Sequence, residues 1–140
     1  MAIVLRDITF QNEDNIKRQN FWTEKGLWTP VGFMTEERAQ YFELVDELKN
    51  SEKYLGAIGF FVNDDSQRVF SSVYVLPEHR KKGHAKTLYK KTLSKYKTCG
   101  VWAYIDEKNT PSINLHKTIG FSVKSSSTNQ KTHMFYKETK

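Results

Sequence analysis

The sequence holds a single cysteine, Cys99, among 140 residues. No intrachain disulfide can form, and neither a cysteine cluster nor a zinc finger can be assembled. No apolar run approaches the roughly 18 residues that mark a membrane-spanning helix. The opening MAIVLRDITF lacks the layout of a secretory leader. Repeats and low-complexity tracts are missing too, and neither G-x-x-x-x-G-K-[ST] nor G-x-G-x-x-G occurs. What remains is a globular chain expected in the cytoplasm, of a length that suits one domain over residues 1–140. A hydrophobic content of 38% with 14% aromatics is enough for a packed core.

Acids are the scarcer charge, 16 against 22 lysines and arginines, for a net +6. The excess is local. Arg80, Lys81, Lys82, Lys86, Lys90, Lys91, Lys95 and Lys97 crowd one segment, whereas residues 36–52 are acid-rich. Such a cluster suits a nucleic acid or a phosphorylated small molecule. The small molecule is the more economical reading, because a cluster facing one phosphorylated cofactor accounts for much of the charge without a duplex partner.

The stretch from Val69 to Leu93 begins as a strand of β-branched and aromatic residues interrupted only by two serines. Pro77 ends it, since proline cannot donate to a ladder. Arg80, Gly83 and Ala85 follow in the order R-x-x-G-x-A. Ala85, Leu88, Tyr89, Leu93 and Tyr96 then recur with helical spacing. A strand, a basic glycine turn and a helix together aim free backbone N–H groups and a helix dipole at one point. An anion, best a diphosphate, is the expected occupant.

On either side, Ile3 to Ile8 reads as a first strand, and Asn12 or Asp14 can cap a helix through about Phe21. Residues Trp22 to Met34, with Gly26, Pro30, Gly32, Trp28 and Phe33, read as a packed loop, and Thr35 to Arg38 as a short helical turn. Strands are expected over Tyr41–Leu48, Tyr54–Val62 and Arg68–Leu76. The connections Lys49–Glu52 and Asn63–Ser66 are made of turn formers, so these strands form antiparallel hairpins. Val101–Ile105 is a fifth strand, parallel to the fourth across the helical crossover. Thr110 caps a helix over about Pro111 to Ile119 that ends at Gly120. Phe121–Ser125 and Thr132–Tyr136 close the chain around the turn Ser126–Gln130.

Arg80, Gly83 and Ala85, following Val75-Leu76-Pro77, resemble the acetyl-CoA loop [QR]-x-x-G-x-[GA] of the GNAT superfamily of N-acetyltransferases. A second block, Asn109-x-x-Ser112-Ile113-x-Leu115-His116-x-x-Ile119-Gly120-Phe121, is similar to the N-x-x-[AS]-x-x-[LF]-[YH]-x-x-x-G-F block that closes the cofactor cleft in these enzymes. Its histidine matches the branch resembling phosphinothricin acetyltransferase. The element order β-α-α-β-β-β-α-β-α-β-β matches over essentially the whole chain. The resemblance implies an α/β class mixed sheet of the acyl-CoA N-acyltransferase type.

The resemblance further implies acetyl-CoA as co-substrate, no metal, and direct acetyl transfer to a primary amine of a small molecule or protein. It leaves a homodimer open and gives no role to a membrane. The backbone from Lys81 through Lys82, Gly83, His84 and Ala85 to Lys86 would hold the diphosphate, with Arg80 or Lys82 adding an ion pair or merely facing solvent. Val73 to Val75 would bind the pantetheine arm across from Val101–Tyr104, and the N–H of Val75 or Leu76 would polarise the thioester. Asn109 and Ser112 border the same cleft, Asn109 touching cofactor or acceptor, or else capping its helix. His116 would receive the departing thiolate, or else serve helix packing. Glu43, Asp46, Glu47, Tyr74 and Asp106 are the candidate bases. Residues 22–34 would wall the acceptor site. Cys99 has no base beside it and makes a poor nucleophile. The alternative is a basic CoA- or nucleic-acid-binding module of the same fold without turnover.

Overall fold

The computed structural model describes residues 2–29, 38–48, 51–63, 66–96, 99–126 and 131–136. Its elements are β1 (Ile3–Asp7), α1 (Glu13–Lys25), β2 (Ala39–Leu48), β3 (Ser51–Val62), β4 (Val69–Val75), a 3-10 turn at Pro77–His79, α2 (His84–Thr92) running into a 3-10 turn at Leu93–Tyr96, β5 (Val101–Asp106), α3 (Thr110–Ile119), β6 (Ser122–Ser126) and β7 (Lys131–Tyr136). The strands form one seven-stranded sheet in the order β1-β2-β3-β4-β5-β7-β6. Every neighbouring pair is antiparallel except β4 and β5, the two joined by the α2 crossover.

Three expectations change. The first helix runs four residues past Phe21, to Lys25, because Asn12 caps its start by accepting from the Asn15 N–H and Gly26 ends it at φ 138°. Trp22 therefore sits on a helix and is fully buried, not part of a loop. Ser51 and Glu52 belong to β3, not to a turn. The cap of α3 is Asn109, whose side chain accepts from the Ser112 N–H, so Thr110 is already inside the helix. Helix 35–38, apart from Arg38, the aromatic Phe33, Lys97 and most of the turn 126–130 lie outside the described residues.

Two cores flank the sheet. On one face α2 and α3 bury Leu88, Tyr89 and Leu93 against Phe42, Leu44, Ile58, Phe60, Val101, Ala103 and Ile105. The apolar stripe expected for α2 is this contact. Losing one such leucine to alanine would cost about 2–5 kcal/mol. On the other face α1 sets Trp22 beside Ile8, Leu27 and Ala57. No described helix is long and apolar enough to cross a membrane.

Candidate active site

The site grows from the one weak seam in the sheet. β4 and β5 share a single ladder pair, Phe70 with Trp102. Beyond it the strands part. Which groups face the gap follows from the ladder on the other edge of β4. The Leu76 N–H bonds the Leu55 carbonyl at 3.0 Å and the Asn63 N–H bonds the Arg68 carbonyl at 2.9 Å. In antiparallel pairing, bonded and non-bonded pairs alternate. With Gly56 opposite Val75 and Ile58 opposite Val73, these two valines turn their backbone groups away from β3, into the gap. The Leu76 N–H is committed to β3, so of the two donors expected to polarise a thioester only that of Val75 faces the gap.

At its open end β4 runs into the basic turn. Pro77 opens a 3-10 turn, and Lys81 and Gly83 both take positive φ, 65° and 82°. α2 starts immediately after, with its first bond from the Thr87 N–H to the Gly83 carbonyl. The N–H groups of His84, Ala85 and Lys86 therefore have no acceptor within the helix, and no acid occupies its first turn. A Cβ built on Gly83 meets nothing within 4 Å. The cradle is thus open in front of free donors, which fits a diphosphate. His84 carries a lowered pKa, first through burial and then through the neighbouring His79 and Lys82, with Asp46 opposing.

Arg80 does not lie over this cradle. Its Nε donates to the Val75 carbonyl at 2.8 Å, and its guanidinium sits 5.2 Å from the Tyr74 ring centre. That bond uses one of its five N–H groups, which leaves the others for the expected ion pair to a diphosphate. Lys82 is exposed. Across the gap, Asn109 follows the end of β5; its Oδ1 accepts from the Ser112 N–H at 3.3 Å, the capping role.

His116 lies behind the gap, 3% exposed. Its Nδ1 is 2.7 Å from the Ser112 carbonyl, which can only accept, so Nδ1 carries the proton. Nε2, 2.7 Å from the Tyr89 hydroxyl, must then accept from it, and the Ser71 hydroxyl, also 2.7 Å away, donates to Tyr89. Burial lowers the His116 pKa against the raising effect of the Ser112 bond, and burial raises that of Tyr89. The chain Ser71–Tyr89–His116–Ser112 is therefore neutral and fully bonded. In this arrangement His116 has no N–H left for a departing thiolate. It ties β4, α2 and α3, the three elements that shape the gap, to one another. Tyr89 and Ser71 escaped sequence reasoning, because Tyr89 reads simply as one more residue of an apolar stripe.

Of the candidate bases, three are occupied elsewhere. Glu43, 1% exposed, accepts from Trp22 Nε1 at 2.9 Å and Arg18 Nε at 3.2 Å. Asp46 accepts from the Ala2 N–H and Glu47 from Arg6. Tyr74 and Asp106 are different. Extending the Phe70–Trp102 register by four residues sets them opposite each other, on the face of the gap away from α2. Asp106 is exposed, with one oxygen accepting from the Lys108 N–H.

The model of the acetyltransferase (GNAT) family matches residues 8–121, and the chain belongs to that family. Solved structures share the fold at low identity. Mutant forms of the spermidine/spermine N-acetyltransferase SpeG from Vibrio cholerae are 15% identical, with 96% of this chain and 94% of that chain covered and a TM-score of 0.68. Arabidopsis thaliana NAA60, in complex with acetyl-CoA, is 17% identical over 96% and 98% at 0.66. A domain from Methanocaldococcus jannaschii is 12% identical over 96% and 97% at 0.69. No curated protein matches the chain in sequence.

Proposed function

We propose that the chain is an acetyl-CoA-dependent N-acetyltransferase that moves the acetyl group directly from the thioester to a primary amine. The observation that carries this is the gap beyond Phe70 and Trp102, which joins unpaired strand donors to an open anion cradle. The same fold in NAA60 is found with acetyl-CoA, which supports the reading. The backbone of Lys81–Lys86 would hold the diphosphate; a charge-assisted bond is worth about 1.5–3 kcal/mol and the helix dipole about 0.3–1 kcal/mol. Val73 and Val75 would bind the pantetheine arm, with the Val75 N–H on the thioester oxygen. Asn109 caps α3 with its oxygen and keeps its amide N–H groups for the arm or the acceptor. Ser112 borders the arm while its carbonyl fixes the His116 tautomer.

The acceptor must lose a proton. A lysine-like amine of pKa about 10.4 is mostly protonated near neutral pH, an implicit cost near 4 kcal/mol. Asp106 and Tyr74, flanking the mouth of the gap, are the groups placed to take it, directly or through water. A thiol of pKa about 8.5 leaves readily without a strong acid, so His116 acts as a positioning residue here and not as a proton donor.

The test is thiol release from acetyl-CoA with and without primary amines. Amine-dependent release, with the acetylated amine recovered in equal amount, is expected. The sealed His116 also favours a second reading, a CoA-binding module without turnover; acetyl-CoA binding with no release for any amine class would select it.

A further inference from the structure

Among the described residues, one side of the gap is open to an acceptor. Its α2 face is filled by Tyr89, Leu88, Val101 and Ala103. The opposite face is a row of rings. Trp28 is pinned over β4 by its N–H, 3.0 Å from the Ser72 hydroxyl, and its ring centre lies 5.2 Å from that of Phe70. Phe70 stacks parallel with Tyr104 at 6.1 Å, and Tyr104 with His133 at 4.3 Å. Trp28 is 53% exposed and Tyr104 43%, so the row offers open ring surface where the sheet splits.

A cation stands at this row. The Arg68 guanidinium lies 3.9 Å from the Trp102 ring centre, with Nη1 3.4 Å from the Tyr104 hydroxyl. Among the described residues no carboxylate pairs with it. It is held in place, with no described carboxylate against it. Tyr104 is level with Ser72 in register, and Val75 lies three residues further along. The guanidinium lies between Trp102, level with Phe70, and the Tyr104 hydroxyl, so at about 3.3 Å per residue it is about 10–17 Å from the thioester donor along the strand.

Resting on the transfer reading above, we infer that the acceptor is a compact amine carrying both an aromatic ring and an anionic group, as an aromatic amino acid does. The ring lies on Trp28, Phe70 and Tyr104. The anion pairs with Arg68 in a charge-assisted contact, and the amine is left near Asp106 and the Val75 donor. A polyamine, all cation, gains nothing from Arg68 and is repelled by it. The acceptor named for the Vibrio cholerae relative is therefore not expected here.

The experiment is calorimetric titration of the CoA-saturated protein with phenylalanine, phenylalaninamide and spermidine. Phenylalanine is expected to bind at least tenfold more tightly than the other two. Arg68→Gln should bring phenylalanine down to the level of its amide, and Trp28→Leu should weaken both ring-bearing compounds while leaving spermidine unchanged. Tyr104→Phe, which only frees the guanidinium from its anchor, should give a smaller loss of the same selectivity. Tighter binding of spermidine, no binding of phenylalanine, or a preference over the amide that survives Arg68→Gln would each overturn the assignment. Thiol release under the same conditions separates the two claims. Phenylalanine that binds without being acetylated refutes transfer but not the ligand class, whereas release with spermidine alone refutes the class but not transfer.

Discussion

Two regions of the sheet use polar groups in opposite ways. Beside α1, charges are gathered and paired: Glu43 Oε1 holds Trp22 and Arg18, and Arg6 reaches Glu47 and Glu52, although Glu43 Oε2 and Arg18 Nη2 are buried without a hydrogen bond. At the β4–β5 gap the polar groups are mostly backbone and are left open: the valine donors, the first N–H groups of α2 and the space before Gly83. The first region looks more like chemistry in the sequence, because it is rich in carboxylates. A buried carboxylate with one oxygen already holding two donors ties elements together, whereas backbone donors facing an open gap are what a ligand can use.

The sharpest break in this contrast is Gly83→Glu. It puts a carboxylate into the cradle at a positive φ, and acetyl-CoA affinity should fall by more than about 100-fold, consistent with losing charge-assisted bonds of about 1.5–3 kcal/mol each. Calorimetry reads the affinity and a thermal melt confirms the fold; unchanged affinity would remove the cradle. Glu43→Ala should do the reverse. Breaking a buried ion pair costs about 3–5 kcal/mol, so denaturant unfolding should show a large loss of stability, with acetyl-CoA affinity in the folded fraction near wild type.

His116→Ala comes next. It removes the acceptor of the Tyr89 O–H, which keeps only Ser71, and the side-chain bond to the Ser112 carbonyl, and it opens a cavity where the ring packed, so Tm should drop. kcat in the folded fraction should stay within about threefold of wild type, well short of the 10²–10⁴ typical of a general acid. A loss in that larger range without a loss of Tm would restore His116 to the leaving group. The smallest effect is in pH. Because the folded His116 pKa lies below its ordinary value, the unfolded chain binds the proton first on acidification. Its stabilisation is complete above about pH 6.5 and is lost as pH falls through the folded pKa. Wild-type Tm should therefore fall more steeply than that of His116→Gln between pH 7 and pH 5; parallel curves would contradict a buried neutral ring.

Much of the gap was legible in the sequence because local rules write it. Pro77 must end β4, Gly83 allows the left-handed turn, and Leu88, Tyr89 and Leu93 fall on one helical face. What was not legible depends on partners distant in sequence. Which of Val75 and Leu76 faces the gap is decided by bonds to β3, 21 residues away from Leu76 at Leu55. That Glu43 is spent on Trp22 depends on α1 running past Phe21, which the mixture of glycines and aromatics after it disguised. His116 sits one turn after Ser112 in any helix, but the partner of its other ring nitrogen is Tyr89, 27 residues earlier.

The central claim is that the gap, and not the charged region beside α1, receives the cofactor. Amide hydrogen exchange with and without acetyl-CoA tests it residue by residue. The account predicts slowed exchange at Val73, Val75 and His84–Lys86, with the amides around Glu43 and Arg18 unchanged. Protection centred on Glu43 and Arg18, with Val73 and Val75 exchanging as before, would contradict it.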